Sequence, residues 1–161
     1  MADATFEEGA ERPVLIAAND AEDLGILAAM VQDSVLPVTE MRWERAHRRF
    51  ALLLNRFRWE DRAVAERRGR PYERVQSLLL VEDVLRVSSQ GIDRSEAETV
   101  LSLLTLSFEP GGDGAGRLEL TFAGDGAIAL DVECLNVTLR DVTRPYAAPS
   151  GHVPDHAGDP P

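Results

Sequence analysis

Arginine beside tryptophan is the combination of residues in this chain best suited to chemistry. Arg42, Arg45, Arg48, Arg49, Arg56, Arg58, Arg62, Arg67, Arg68 and Arg70 crowd one segment together with Trp43 and Trp59. A planar guanidinium takes carboxylate or phosphate oxygens two at a time, and an exposed indole gives a partner a flat apolar anchor. That chemistry suits a small anionic ligand or an acidic protein surface. A solvated, salt-bridged edge strand accounts for the same residues, because Glu44, Glu60, Asp61 and Glu66 are at hand as counter-ions and charge on an edge strand blocks aggregation. If the strand is regular, Arg56 and Arg58 share a side and Trp59 falls on the other. The expected contact residues are therefore Arg56, Arg58, Trp59 and Trp43. A second set, Gln32, Asp33 and Asn55 with Arg56, would line a pocket between an N-terminal helix and the sheet in an enzyme or small-anion-binding protein.

Other reactive side chains are poorly placed. Cys134 stands among apolar neighbours with no cysteine-enzyme signature around it, so a buried structural thiol is expected. His152 and His156 are four apart, but Pro154 between them removes the helical geometry a zinc pair needs. Asp20, Glu22, Asp23 and Asp33 suit a helix N-terminus better than a divalent cation. The glycines of 111–116 and 124–126 lack the Lys-Ser/Thr ending of a phosphate loop. No metal or cofactor is expected.

Composition sets the frame. The 161 residues are enough for one domain, and 44% hydrophobic content is enough for a core. Aromatics make up only 6%, so aliphatic packing must dominate. The net charge is −11, which argues against nucleic acid and anionic membrane as partners unless charge is segregated. It is segregated: residues 42–74 hold 11 arginines and five acids, a balance of +6 against −17 for the remainder. All 17 basic residues are arginine, a bias too broad to come from one binding site. A single cysteine gives no internal disulfide, the first residues do not read as a signal peptide, and no apolar run approaches the roughly 20 residues that span a bilayer. A soluble cytoplasmic protein is the expected class.

The elements that must carry these residues follow from periodicity. Residues 1–12 read as a flexible tail and 13–146 as one domain, with a disordered tail at 147–161. Residues 14–18 form a first strand or a packed lead-in. Asn19 caps a helix over 20–35, with Leu24, Leu27, Ala28, Val31 and Val35 on one face and Pro37 as its stop. Strands are expected at 38–44, 49–58, 72–81, 84–88, 100–108, 117–122 and 127–132, with a solvated loop at 60–71 and a hairpin at Asp125-Gly126. The spacing of Val132, Leu135, Leu139 and Val142 predicts a short helix over 133–141. The fold class is α+β, an antiparallel meander or barrel of about seven strands with an N-terminal and a short C-terminal helix. Its element order is pleckstrin-homology-like, and an open sheet with both helices on one face is the alternative.

With these residues in view, the chain resembles a family of small bacterial proteins, the domain-of-unknown-function family numbered twenty-nine forty-eight. The likeness rests on Asp20-Ala21-Glu22-Asp23-Leu24, Gln32-Asp33, Arg49-Phe50 and Asn55-Arg56-Phe57-Arg58-Trp59-Glu60. It continues through Leu101 to Leu104, Phe122-Ala123-Gly124, Val132-Glu133-Cys134-Leu135 and Asp141, and covers most of 15–146. The resemblance implies a bacterial cytoplasmic protein and supplies no activity or catalytic residues. The reading is a non-enzymatic binding or interaction module on the Arg/Trp strand face. The alternative is an enzyme or small-anion binder using the pocket set. The oligomeric state is not written in the sequence.

Overall fold

The structure, a computed structural model, describes residues 12–149 and 151–154. Among these residues eleven strands make one antiparallel sheet: β1 (Leu15–Ala18), β2 (Ser34–Pro37), β3 (Met41–Glu44), β4 (Arg49–Phe57), β5 (Glu73–Val81), β6 (Val84–Gln90), β7 (Val100–Gly112), β8 (Ala115–Phe122), β9 (Ala127–Val132), β10 (Val137–Asp141) and β11 (Tyr146–Ala147). The order is β1-β10-β5-β4-β2-β7-β8-β9-β6, with β3 also on β4 and β11 also on β5. Two α-helices among the described residues, α1 (Ala21–Val31) and α2 (Arg62–Arg68), complete an α+β fold.

Alternation drives this arrangement. Along β4 Phe50, Leu52, Leu54 and Arg56 are buried at every second residue, as a strand with one covered face requires, and only at the strand's end does the alternation break, where Phe57 is buried as well. Opposite them stand Leu79 and Val81 of β5, flanked by Val137 and Leu139 of β10. From the far end of the sheet, Leu118, Leu120 and Phe122 of β8 and Ile128, Leu130 and Val132 of β9 join the same cluster. One continuous aliphatic core therefore unites both ends of the sheet, and α1 adds Leu24, Leu27 and Val31 to it. Burying each such side chain is worth about 1.5–3 kcal/mol, which offsets the glycine at position 25 of that helix.

Several boundaries differ from expectation. Asp20, not Asn19, caps α1: its carboxylate accepts from the Asp23 amide at 2.8 Å. The helix ends at Val31 because Asp33 turns left-handed (φ 60°), and Ser34–Pro37 then extends as a strand. Val35 satisfies the helical spacing by coincidence; it lies opposite Asn55 on β4. Residues 60–71 are not a loop. A turn of 3-10 helix at Trp59–Asp61 leads into α2, which buries Ala65 and ends at left-handed Gly69 (φ 64°). Its apolar signal is too small to stand out among so many charges.

The helix expected over 133–141 is absent. Residues 137–141 form β10, paired with β1 on one side and β5 on the other. Two neighbouring ladders hold this stretch extended against its helical spacing. With a strand in that place and eleven strands in the sheet, the pleckstrin-homology-like element order of seven strands and a closing helix is not met. The ordered chain also runs past 146, since Ala147 pairs with Glu73 and Ala148 is buried. The expected N-terminal tail and His156 fall on residues outside those described, apart from Arg12. Among the described residues no helix is long and apolar enough to cross a membrane.

Candidate functional site

Past Leu54 the core side of β4 continues not with another leucine but with Arg56, which is completely buried. Its guanidinium is enclosed by acceptors. Nη1 and Nη2 donate to the Glu60 carboxylate at 2.8 and 3.0 Å, Nη2 to Asp141 at 3.1 and 3.2 Å, and Nε to Ser77 Oγ at 3.2 Å. Ser77 Oγ donates to Asp141 at 2.6 Å, and the other Asp141 oxygen accepts from the Val14 amide at 2.9 Å. Burial pushes the Arg56 pKa down, but the bonds and charges of Glu60 and Asp141 outweigh it and hold it above its ordinary value. This cation is permanent and fully engaged.

Arg58, also buried, forms the second knot. It donates to Glu73 and lies 3.7 Å from both Glu60 and Asp61. Asp61 in turn accepts from Arg70 at 2.5 and 2.7 Å. Burial pushes the Asp61 carboxyl up, yet Arg70 and Arg58 prevail and keep it below the usual carboxylate range. Thus Arg56 and Arg58, expected as surface contacts, are internal tethers joining β4, β5, β10 and α2. Alternation turns Arg56 inward, and acids close in sequence neutralise both. Trp43 is likewise half-buried, packed against the core on the inward side of β3.

The outward side of the sheet is different. Ala51 lies opposite Arg42 and Leu80, and Leu80 opposite Thr138. One step along, Leu53 lies opposite Leu78, Leu78 opposite Arg140, and Arg140 opposite Leu15. Ala51, Leu53, Leu78 and Leu80 are half-buried and Leu15 is 73% exposed. Glu44, opposite Arg49, is the acid on this side of β3, where it approaches Arg42 and His47.

At the end of this side the structure collects most of the expected pocket set. Asp33 precedes β2 by one residue, Val35 faces Asn55, and Trp59 Nε1 donates to the Gln32 carbonyl at 3.0 Å. Arg56 is not among them, because it points to the other face. Arg74, which no sequence pattern singled out, occupies the corresponding place. It lies opposite Phe57 and next to Tyr146 in register. Nη1 donates to the Asn55 carbonyl at 3.1 Å, and the guanidinium carbon stands 5.9 Å from the Phe57 ring centre. Phe57 meets Trp59 edge-on at 4.7 Å and Tyr72 at 5.7 Å. Burial pulls the Arg74 pKa down, only partly countered by Tyr146 and Asp33, while burial pushes the Tyr146 hydroxyl up against the pull of Arg74 and Asn55. Strand parity with Phe57 was the available signal for Arg74.

The remaining candidates are inert or separate. Cys134 is exposed, not buried, and its thiol donates to Asp83 at 3.2 Å; that bond pushes its pKa up. Exposure without activation gives no nucleophile. Among the described residues no group of three or more His, Cys, Asp or Glu could hold a metal ion. A shallow, open depression beside the β7–β8 hairpin, lined by Leu85, Glu109, Arg117 and Asp131, lies apart from all the expected residues.

No curated protein and no solved structure matches this chain. A family model described as "Protein of unknown function (DUF2948)" matches residues 14–156, and the chain belongs to that family.

Proposed function

We propose that this protein is a non-enzymatic interaction module whose contact face is the outward side of β10, β5, β4 and β3. One observation carries the reading: Ala51, Leu53, Leu78 and Leu80 form a part-exposed aliphatic centre flanked by Arg42, Arg49, Arg74 and Arg140. The free face of an antiparallel sheet is ordinarily polar. An apolar centre with a cationic rim fits a protein surface of the opposite pattern, apolar within and carboxylate-rich around. In a chain of net charge −11 such a face stands out from its own surroundings. The apolar centre would supply affinity, and the arginines orientation and association rate. The mutual satisfaction of Arg56, Arg58, Asp61 and Asp141 also favours binding over catalysis, since none is left as a poised acid or base. A cytoplasmic setting accords with one unpaired cysteine and an acidic surface.

The test is comparative capture from a lysate of the native source. The wild-type protein is immobilised beside a Leu53→Asp/Leu78→Asp variant, whose part-exposed sites tolerate a polar group, with unchanged circular dichroism as the control. A protein held by wild type, released by a salt step and absent from the folded variant supports the module. Equal capture by both would sink the assignment of this face. Arg56 and Arg58 are unsuitable probes, because their loss attacks the fold.

A further inference from the structure

We infer that Arg74, with Asn55 and the Tyr146 hydroxyl, forms a receptor for the carboxylate of a small monoanionic ligand whose apolar part lies along Trp59 and Tyr72. The site is at one end of the face described above, but the inference stands on its own geometry and not on a protein partner.

Three arginines near this end of the sheet hold carboxylates: Arg56 with Glu60 and Asp141, Arg58 with Glu73, and Arg70 with Asp61. Arg74 is half-buried beside them, and among the described residues no carboxylate comes within ion-pairing distance of it. Its Nη1 is committed to Asn55, at 3.1 Å to the carbonyl and 3.5 Å to Oδ1. Nε and Nη2 donate to no acceptor among the described residues, so one edge of the fork remains open. A half-buried guanidinium with no carboxylate in ion-pairing contact is costly, and a bidentate oxyanion is the group that matches its geometry. The direction of its pKa agrees, since burial dominates over its charged neighbours.

The position is also held rather than loose. The Phe57 ring and the Asn55 carbonyl fix the guanidinium from two sides. Pairing of β11 with β5 sets Tyr146 directly opposite Arg74, which brings a phenolic donor to the same place. Phe57 is buried beneath this end, and the part-exposed rings of Trp59 and Tyr72 both pack on it, leaving aromatic surface beside Arg74. Asp33, buried at this end and close enough to act on Arg74, sets the charge preference. Its repulsion is about twice as large for a dianion as for a monoanion, which selects a carboxylate over a phosphate monoester.

The experiment titrates the full-length protein with sodium benzoate, acetate, inorganic phosphate and chloride at matched ionic strength. Tryptophan fluorescence and the thermal midpoint are the readouts. The expected result is a saturable response to benzoate, weaker for acetate and absent for chloride. It falls by about tenfold or more in Arg74→Gln, the loss of one charge-assisted contact, and more modestly in Tyr146→Phe. Arg74→Gln should melt within a few degrees of wild type. No saturable response in wild type, or an equal response in Arg74→Gln, would overturn the receptor. A large drop in the melting point of Arg74→Gln would make Arg74 a structural residue instead, and tighter binding of phosphate than of benzoate would overturn the carboxylate assignment. A negative outcome leaves the Leu53/Leu78 face to be judged by its own capture test.

Discussion

Replacing Arg56 with Met removes a charge while keeping most of the side-chain volume. The consequence can be worked from its surroundings. Arg56 is fully buried, and Asp141, which it holds at 3.1 and 3.2 Å, keeps only 4% of its side chain exposed. Glu60, held through both oxygens, is more exposed and can turn to water. The cost therefore falls mainly on Asp141, left with the Ser77 hydroxyl and the Val14 amide against a buried negative charge. Removing one partner of a buried pair costs about 3–5 kcal/mol, which for a domain of this size lowers the melting temperature by roughly 10 °C or more. Thermal and urea unfolding followed by circular dichroism give the number. Adding Asp141→Asn to Arg56→Met should recover part of the loss, with a coupling of about 0.5–3 kcal/mol between the two sites. The reasoning fails if Arg56→Met costs less than about 1 kcal/mol, or if the two substitutions simply add.

Three other outcomes follow from the same structure. Asp61 has a depressed pKa, so its stabilisation is complete above the ordinary carboxylate value of about 3.9 and is lost as pH falls through the folded-state value; Asp61→Asn should be less stable than wild type at neutral pH and should converge on it in acid unfolding curves. Gly25 lies in α1 with open space around a would-be Cβ, whereas at Gly116 that atom would stand 2.6 Å from the Phe108 ring; urea midpoints should show Gly25→Ala gaining about 1 kcal/mol and Gly116→Ala losing about 1–3 kcal/mol. The Cys134 thiol, raised by its bond to Asp83, should react with a disulfide reagent near pH 8 more slowly than a free cysteine does, and Asp83→Asn should speed it.

Much of the sheet was legible because period-two alternation is a strong signal. Leu118, Leu120 and Phe122, and Phe50, Leu52 and Leu54, are core residues as their spacing demanded. What misled was spacing compatible with two periods. Val35 and Leu139 fit a helix by position but a ladder by partner, and the partners come from strands far away in sequence. The same limit hid the site. Gln32, Asp33 and Asn55 are close in the structure as expected, but Arg74 and Tyr146 join them through pairing of β4, β5 and β11. Nor could composition show that Asp141, 85 residues away, would hold Arg56.

The arginine count of the 42–74 segment overstates its available charge. Arg56, Arg58, Arg62 and Arg70 are engaged by Glu60, Asp61, Glu66, Glu73 and distant Asp141. Those pairs tie down the end of β4 and the following helix, where the apolar core has run out. The charge on the outward side of the sheet comes from Arg42, near Glu44, and Arg49 beside Ala51, from Arg74 beside Phe57, and from Arg140 of β10. One strand thus spends its inward arginine on the fold and sets its outward side as a surface. The two roles separate experimentally, because inward substitutions should move the melting temperature and outward ones should move binding. An outward substitution such as Leu53→Asp that unfolded the protein as severely as Arg56→Met would show that the division between the two sides of β4 is not real.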